Sequence, residues 1–331
     1  MALATITGGG ALTSKNIADL NLNFTTLLGG VNPGNIIYCI PSASFAGTQD
    51  GSAAHPYTSL LAALGKARPA KNDVVVLVGN GASGGSARLS ANLDWNKDAV
   101  HLIGISSGVN ISNRSRIAPT SGATAFANFL TVSANGCRFQ NIALFDGFGT
   151  GTTAQIALTV TGTRNMFTDC HIGGMGDQES ADDADSRSVK ISADENMFVN
   201  CTIGLDTVTR GAANASVEFA GATARNQFID CIFPFMCDAS SPLGVLGTGA
   251  GCMDRFQLFR RCLFINATGS TSTTMTVLGS LTSASPGGIL LYDRCVLVAI
   301  GEYGDTLALT HSYIDGLTGA AATSGIAVKP T

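Results

Sequence analysis

The sequence predicts an all-β fold: a right-handed, single-stranded parallel β-helix with a short N-terminal helical anchor and a helix capping the N-terminal end. Three observations carry this. One phrase recurs about every thirty residues from Val100 onward, its apolar positions alternate as they do on strands, and the chain is poor in charge. Of 331 residues, 45% are hydrophobic, 40 are glycine and only 13% are charged. An ordinary soluble domain carries about 25% charged residues. Part of the exterior is therefore expected to lie against partners.

The recurring phrase reads Asn165-Met-Phe-Thr-Asp-Cys-His-Ile, Asn196-Met-Phe-Val-Asn-Cys-Thr-Ile and Asn226-Gln-Phe-Ile-Asp-Cys-Ile-Phe. Weaker copies follow at Leu258-Phe-Arg-Arg-Cys-Leu-Phe and Leu291-Tyr-Asp-Arg-Cys-Val-Leu. Phe139 to Leu144 is an earlier copy with Ile in the Cys slot, and Leu309 to Ile314 a late one with Ser. Cys170, Cys201, Cys231, Cys262 and Cys295 are spaced 31, 30, 31 and 33 apart. Self-similarity at such a period marks a stacked repeat.

Within a copy, Phe, Cys and the next apolar residue fall at offsets 0, +3 and +5. Cys and the residue after next share a strand face, whereas Phe to Cys breaks parity. A two-residue corner between two short strands restores it. A third β-rich segment precedes each copy, as at Ala157 to Val160, Ser188 to Ile191 and Ser216 to Phe219. Three strands and polar corners make one rung. In a stack with about 4.8 Å between strands, Phe167, Phe198, Phe228, Phe259 and Tyr292 form an aromatic column. Ile172, Ile203, Phe233, Phe264 and Leu297 form a second column. Asn165, Asn196 and Asn226 form an amide ladder at a corner. The cysteines read as small buried hydrophobes with free thiols, because stacked neighbours point the same way and nine is an odd total.

The residue after each Cys is expected to face outward: His171, Thr202, Ile232, Leu263, Val296. This column turns apolar toward the C-terminus, so Ile232, Leu263 and Val296 are a candidate oligomer interface. Upstream, Ser14 can cap a helix that aligns Ile17, Leu20, Phe24, Leu27 and Leu28, with Gly29-Gly30 stopping it. Such a helix is marginal alone and needs a partner. Residues 1–35 are thus an anchoring or oligomerisation segment, 36–99 a lead-in, and 100–331 the β-helix. The lead-in has a strand near Ile36, an Asp-Gly turn, a helix opened by Thr58 or Ser59, and a strand from Asp73. That order resembles the start of pectate-lyase-like β-helices, where the helix plugs the open core.

The opening from Ala11 to Leu27, with Leu-Asn-Leu-Asn-Phe at its centre, resembles the starts of tailed-bacteriophage virion proteins. Joined to a β-helix, it resembles their tail spikes, tail fibres and capsid-decoration spikes. The resemblance implies a homotrimer held by residues 1–35 to other virion proteins, assembled in the host cytoplasm, with a host-surface glycan as a candidate ligand. The expected function is a non-enzymatic structural spike; the alternative is a phage polysaccharide depolymerase on the same scaffold.

Other chemistries find little support. Glycoside hydrolysis needs two carboxylates about 5–9.5 Å apart. Only Asp169 and Asp230, two rungs apart in a corner column, approach this, and corner residues are usually turn formers. The acidic run Asp177, Glu179, Asp182, Asp183, Asp185 is either a solvated loop or a cation site without the EF-hand pattern. The four histidines have no metal-ligand spacing, and no cofactor is expected. Gly79 to Gly85 lacks the Lys-Ser/Thr of a phosphate loop. A net charge of −4 gives no reason to expect nucleic acid or anionic membrane. No apolar run approaches a membrane span of about 18 residues, and the N-terminus lacks the pattern of a secretory signal.

Overall fold

The computed structural model describes residues 34–43, 47–148, 154–267, 273–283 and 288–315. The anchor residues Ile17, Leu20, Phe24, Leu27 and Leu28 lie outside them.

One turn of chain explains the architecture. Met166–Thr168, His171–Gly173 and Arg187–Ile191 are three strands in three different sheets, and Met197–Val199 returns to the first of them. Repetition yields a parallel β-helix. Its long sheet has ten strands, from Ile36–Cys39 to Ser312–Ile314. The second sheet has eight, from Ala87–Leu89 to Val296–Val298, and the third seven, from Leu93–Trp95 to Gly279–Leu281. The parallel stack already runs through Val74–Val78 and His101–Ile105, whose sequences carry no readable copy of the repeat.

Register sets the core. Phe139, Phe167, Phe198 and Phe228 pair rung by rung, with ring centroids 4.6–4.7 Å apart and nearly parallel planes. Phe259 continues at 4.8 Å and Tyr292 at 5.4 Å. Leu144, Ile172 and Ile203 stack on the second sheet, and Phe233 lies 4.5 Å from Phe264 further along. All nine cysteines are unbridged. Cys170, Cys201, Cys231 and Cys262 are buried beside the aromatic column, while Cys295, at its C-terminal end, is only half-buried. Burial pushes the Cys39 thiol up to about 12 and those of Cys137 and Cys237 to about 11.

The corners are built from backbone that most residues avoid. Asn141, Asp169, Asn200, Asp230, Arg261 and Arg294 all have φ of 50–56°, the left-handed region that Asn and Asp tolerate best. At another corner, the side-chain oxygens of Asn165, Asn196 and Asn226 each accept the backbone N–H of the rung before, at 2.8–2.9 Å. Gln257 extends this ladder by accepting from Asn226 N at 3.1 Å.

The helix Leu60–Lys66 closes the N-terminal end. Ser59 caps it by accepting from Ala62 N, and Leu60, Ala63 and Leu64 are buried on the core. Lys97 Nζ donates to the carbonyls of Leu64, Gly65 and Ala67 at 2.6–2.8 Å, satisfying the other end.

Candidate ligand groove

The column after each Cys lies on the outer face of the second sheet. Register extends it upstream, so that it runs Arg116, Ala143, His171, Thr202, Ile232, Leu263, Val296. Ile232 and Leu263 are half-buried, whereas Val296 is 53% exposed. His171 and Thr202 are buried, contrary to the sequence expectation. Over His171 passes a segment, residues 106–113, that leaves the long sheet and crosses the rungs instead of following them. Ser112 N–H donates to His171 Nδ1 at 3.0 Å, and Asn110 Nδ2 donates to Asn200 Oδ1 at 3.1 Å.

Between this strap and the loop Leu205–Thr207 lies a groove of about 450 Å³. Its floor includes Arg116, Phe145, His171, Thr202 and Gly204, and Ile232, Pro234 and Ile265 extend it toward the C-terminus. Gly204 keeps the floor open: its φ is +118°, and a Cβ there would meet Pro234 O at 2.6 Å. Arg116 Cζ stands 4.2 Å from the Phe145 ring centroid, a cation–π contact. Burial, then the charges of Arg88 and Arg114, lower the pKa of Arg116. The group still carries its charge at neutral pH. Among the described residues neither Arg114 nor Arg116 has an ion pair, although arginines elsewhere are tied to acids, as Arg68 to Asp73, Arg225 to Glu195 and Arg261 to Asp230. The groove's one carboxylate, Asp206, is exposed.

The hydrolytic pair weighed from sequence does not form a site. Asp230 takes Arg261 on both oxygens at 2.6 and 2.7 Å, and Asp169 accepts from Asn200 at 2.7 Å. Both serve the left-handed corner. In the acidic run, Asp177 caps the short helix Gln178–Ala181, Asp183 accepts from Asp185 N, and Asp182 from Gln178. Among the described residues no three His, Cys, Asp or Glu side chains converge as metal ligands.

One strand end beyond Phe145, Asp146 is fully buried, and neither of its carboxylate oxygens has a hydrogen-bond partner among the described residues. Burial, and then the charge of Asp177, push its pKa up to about 8. Asp177 is satisfied by Phe148 N and Ser180 N at 3.0 and 2.9 Å. Asp146 is thus a neutral carboxylic acid at pH 7.

Sequence reasoning missed Arg116, Phe145 and the strap. Carrying the repeat register one rung further back from Ala143 would have placed Arg116 at the head of the column.

No family model and no curated relative matches the chain. Solved structures do. Pectin methylesterase PemA from Erwinia chrysanthemi aligns over 89% of this chain and 90% of its own, with TM-score 0.54 and 14% identity. The fold is the pectate-lyase-like right-handed parallel β-helix. A pectin methylesterase in complex with a hexasaccharide aligns over 87% of this chain and 91% of its own, with TM-score 0.52 and 14% identity. At such identity the likeness is one of fold.

Proposed function

We propose that this β-helix engages an acidic polysaccharide in the groove on its second sheet. The observation that carries the reading is Arg116, walled in above Phe145 beside Arg114, with an ion pair to neither arginine among the described residues. An arginine fork matches a carboxylate or sulfate bidentately, and the low-dielectric walls strengthen that contact. A pectin methylesterase of the same fold has been seen in complex with a hexasaccharide, which agrees with a sugar ligand. Floor residues Phe145, Ile232 and Pro234 offer apolar surface to sugar ring faces.

Isothermal titration with a hexauronate and a neutral hexasaccharide of equal length tests it. The uronate binds at least tenfold more tightly at low salt, the preference shrinks as salt rises, and Arg116→Ala removes it. Charge-assisted hydrogen bonds of about 1.5–3 kcal/mol correspond to such a factor or more. Equal affinity for the two sugars overturns the proposal. Assaying new reducing ends in the same samples separates binding from depolymerisation.

A homotrimeric virion spike, the second reading, draws support from the outer column. Ile232, Leu263 and Val296 stand in register, and Val298 beside them is also exposed. Val296→Asp then lowers the native mass of the assembly while leaving the circular dichroism unchanged. An unchanged native mass removes this face as the interface.

A further inference from the structure

The groove is roofed on one side by chain that the β-helix does not need. Residues 106–113 start one strand upstream of the groove, and their tip rests on Asn200, three rungs along the long sheet. That span is roughly 14 Å at the spacing of stacked strands. The base of the strap is firm: Asn113 is buried, accepts from Ser106 Oγ at 2.7 Å and from Ser115 N at 2.8 Å, and donates to Asn141. Its tip is not. Val109 and Ile111 are 52% and 51% exposed, so little apolar packing holds it down. Three hydrogen bonds do, two from Asn110 Nδ2 to the side-chain and backbone oxygens of Asn200 and one from Ser112 N–H to His171.

The bond to His171 is chemically conditional. An N–H can only donate, so His171 Nδ1 accepts with its lone pair. The other ring nitrogen, Nε2, lies 3.2 Å from Gly204 O, to which only an N–H can donate. Both contacts select the same neutral tautomer. Ser112 reaches the ring from a left-handed backbone, φ 52°, which a serine adopts only when its surroundings hold it there.

We propose that residues 106–113 are a pH-gated strap over the groove, latched by the Ser112 N–H on neutral His171 and released when Nδ1 takes a proton from solvent. The new N–H then points at the Ser112 N–H, and the latch has no acceptor. This regulates the site proposed above and rests on that reading for its purpose, although the latch itself does not need a ligand. Burial opposes protonation most, Arg116 opposes it too, and Gly204 O and Asp206 favour it. Release therefore falls below the ordinary histidine range. Acidification would open the groove beside Arg116, whose charge persists.

Hydrogen exchange of the 106–113 peptide, on the full chain without ligand and corrected for intrinsic rates, tests the gate. Between pH 7.5 and pH 5.0 the wild-type strap is expected to exchange about tenfold faster or more, while the peptide covering 197–203 is unchanged. His171→Gln cannot take up a proton and is expected to exchange at one corrected rate at both pH values. A flat wild-type profile overturns the gate without reference to any variant, and so does the same pH response in His171→Gln. Because no sugar is present, these outcomes are independent of the glycan titrations: the gate can fail with the glycan reading intact, and the reverse.

Discussion

Phe198→Ala lowers the stability of the β-helix by about 3–5 kcal/mol, the range for deleting a fully buried aromatic ring. Phe198 has rings above and below it at 4.6 and 4.7 Å, both within 5° of parallel. Removing it takes a face from each neighbour and opens a void that strands in fixed register cannot close. Flanking rungs are held by their own backbone ladders, so the loss remains concentrated in the middle of the stack. Urea unfolding followed by circular dichroism measures it. A shift under 1 kcal/mol would mean that the column contributes far less than its burial implies.

Asp146→Asn has its largest effect at alkaline pH. In the folded chain the acid keeps its proton up to about pH 8, while in the unfolded chain it loses it near pH 4. Between these values the folded state holds more protons. The stability associated with the neutral acid is complete below pH 4 and is lost as pH rises through 8. The slope approaches about 1.4 kcal/mol per pH unit for a single proton. Asparagine does not titrate, so the difference between wild type and variant isolates this slope from His101 and His171, whose lowered pKa values oppose it in the acid range. Denaturant midpoints of both proteins from pH 5 to 9 give the measurement. Parallel pH profiles would show that Asp146 is already ionised in the fold, with a partner that neutralises it.

Much of the architecture was legible because a parallel stack forces equivalent residues into columns. Asn196, Phe198, Cys201 and Ile203 each repeat from the rung before, so their inward direction followed from spacing alone. The corner was legible too, since the parity break between Phe and Cys needs a turn where Asp169 and Asn200 stand. Gln257 was harder to see, because Gln continues the asparagine ladder through one extra methylene, a substitution with no signature in the repeat. The first rungs were harder still. Strands such as Val74–Val78 pair in register without sharing the phrase, because any apolar β-formers satisfy the core there.

The outer surface followed different rules. His171 and Thr202 occupy the outward column, yet they are buried, and nothing in their own rungs says so. The segment over His171 comes from 59 positions away, through Ser112, and its tip reaches Asn200 from 90 positions away, through Asn110. These contacts occur once and have no copies to compare. The amino-acid sequence by itself determined which side chains fill the helix, because ladder hydrogen bonds and period-two strands repeat wherever the chain makes another turn. Only the tertiary structure decided that Arg116, Phe145 and His171 share one walled groove. That depends on where a single non-repeating segment comes to rest, and packing across rungs, not periodicity, sets it.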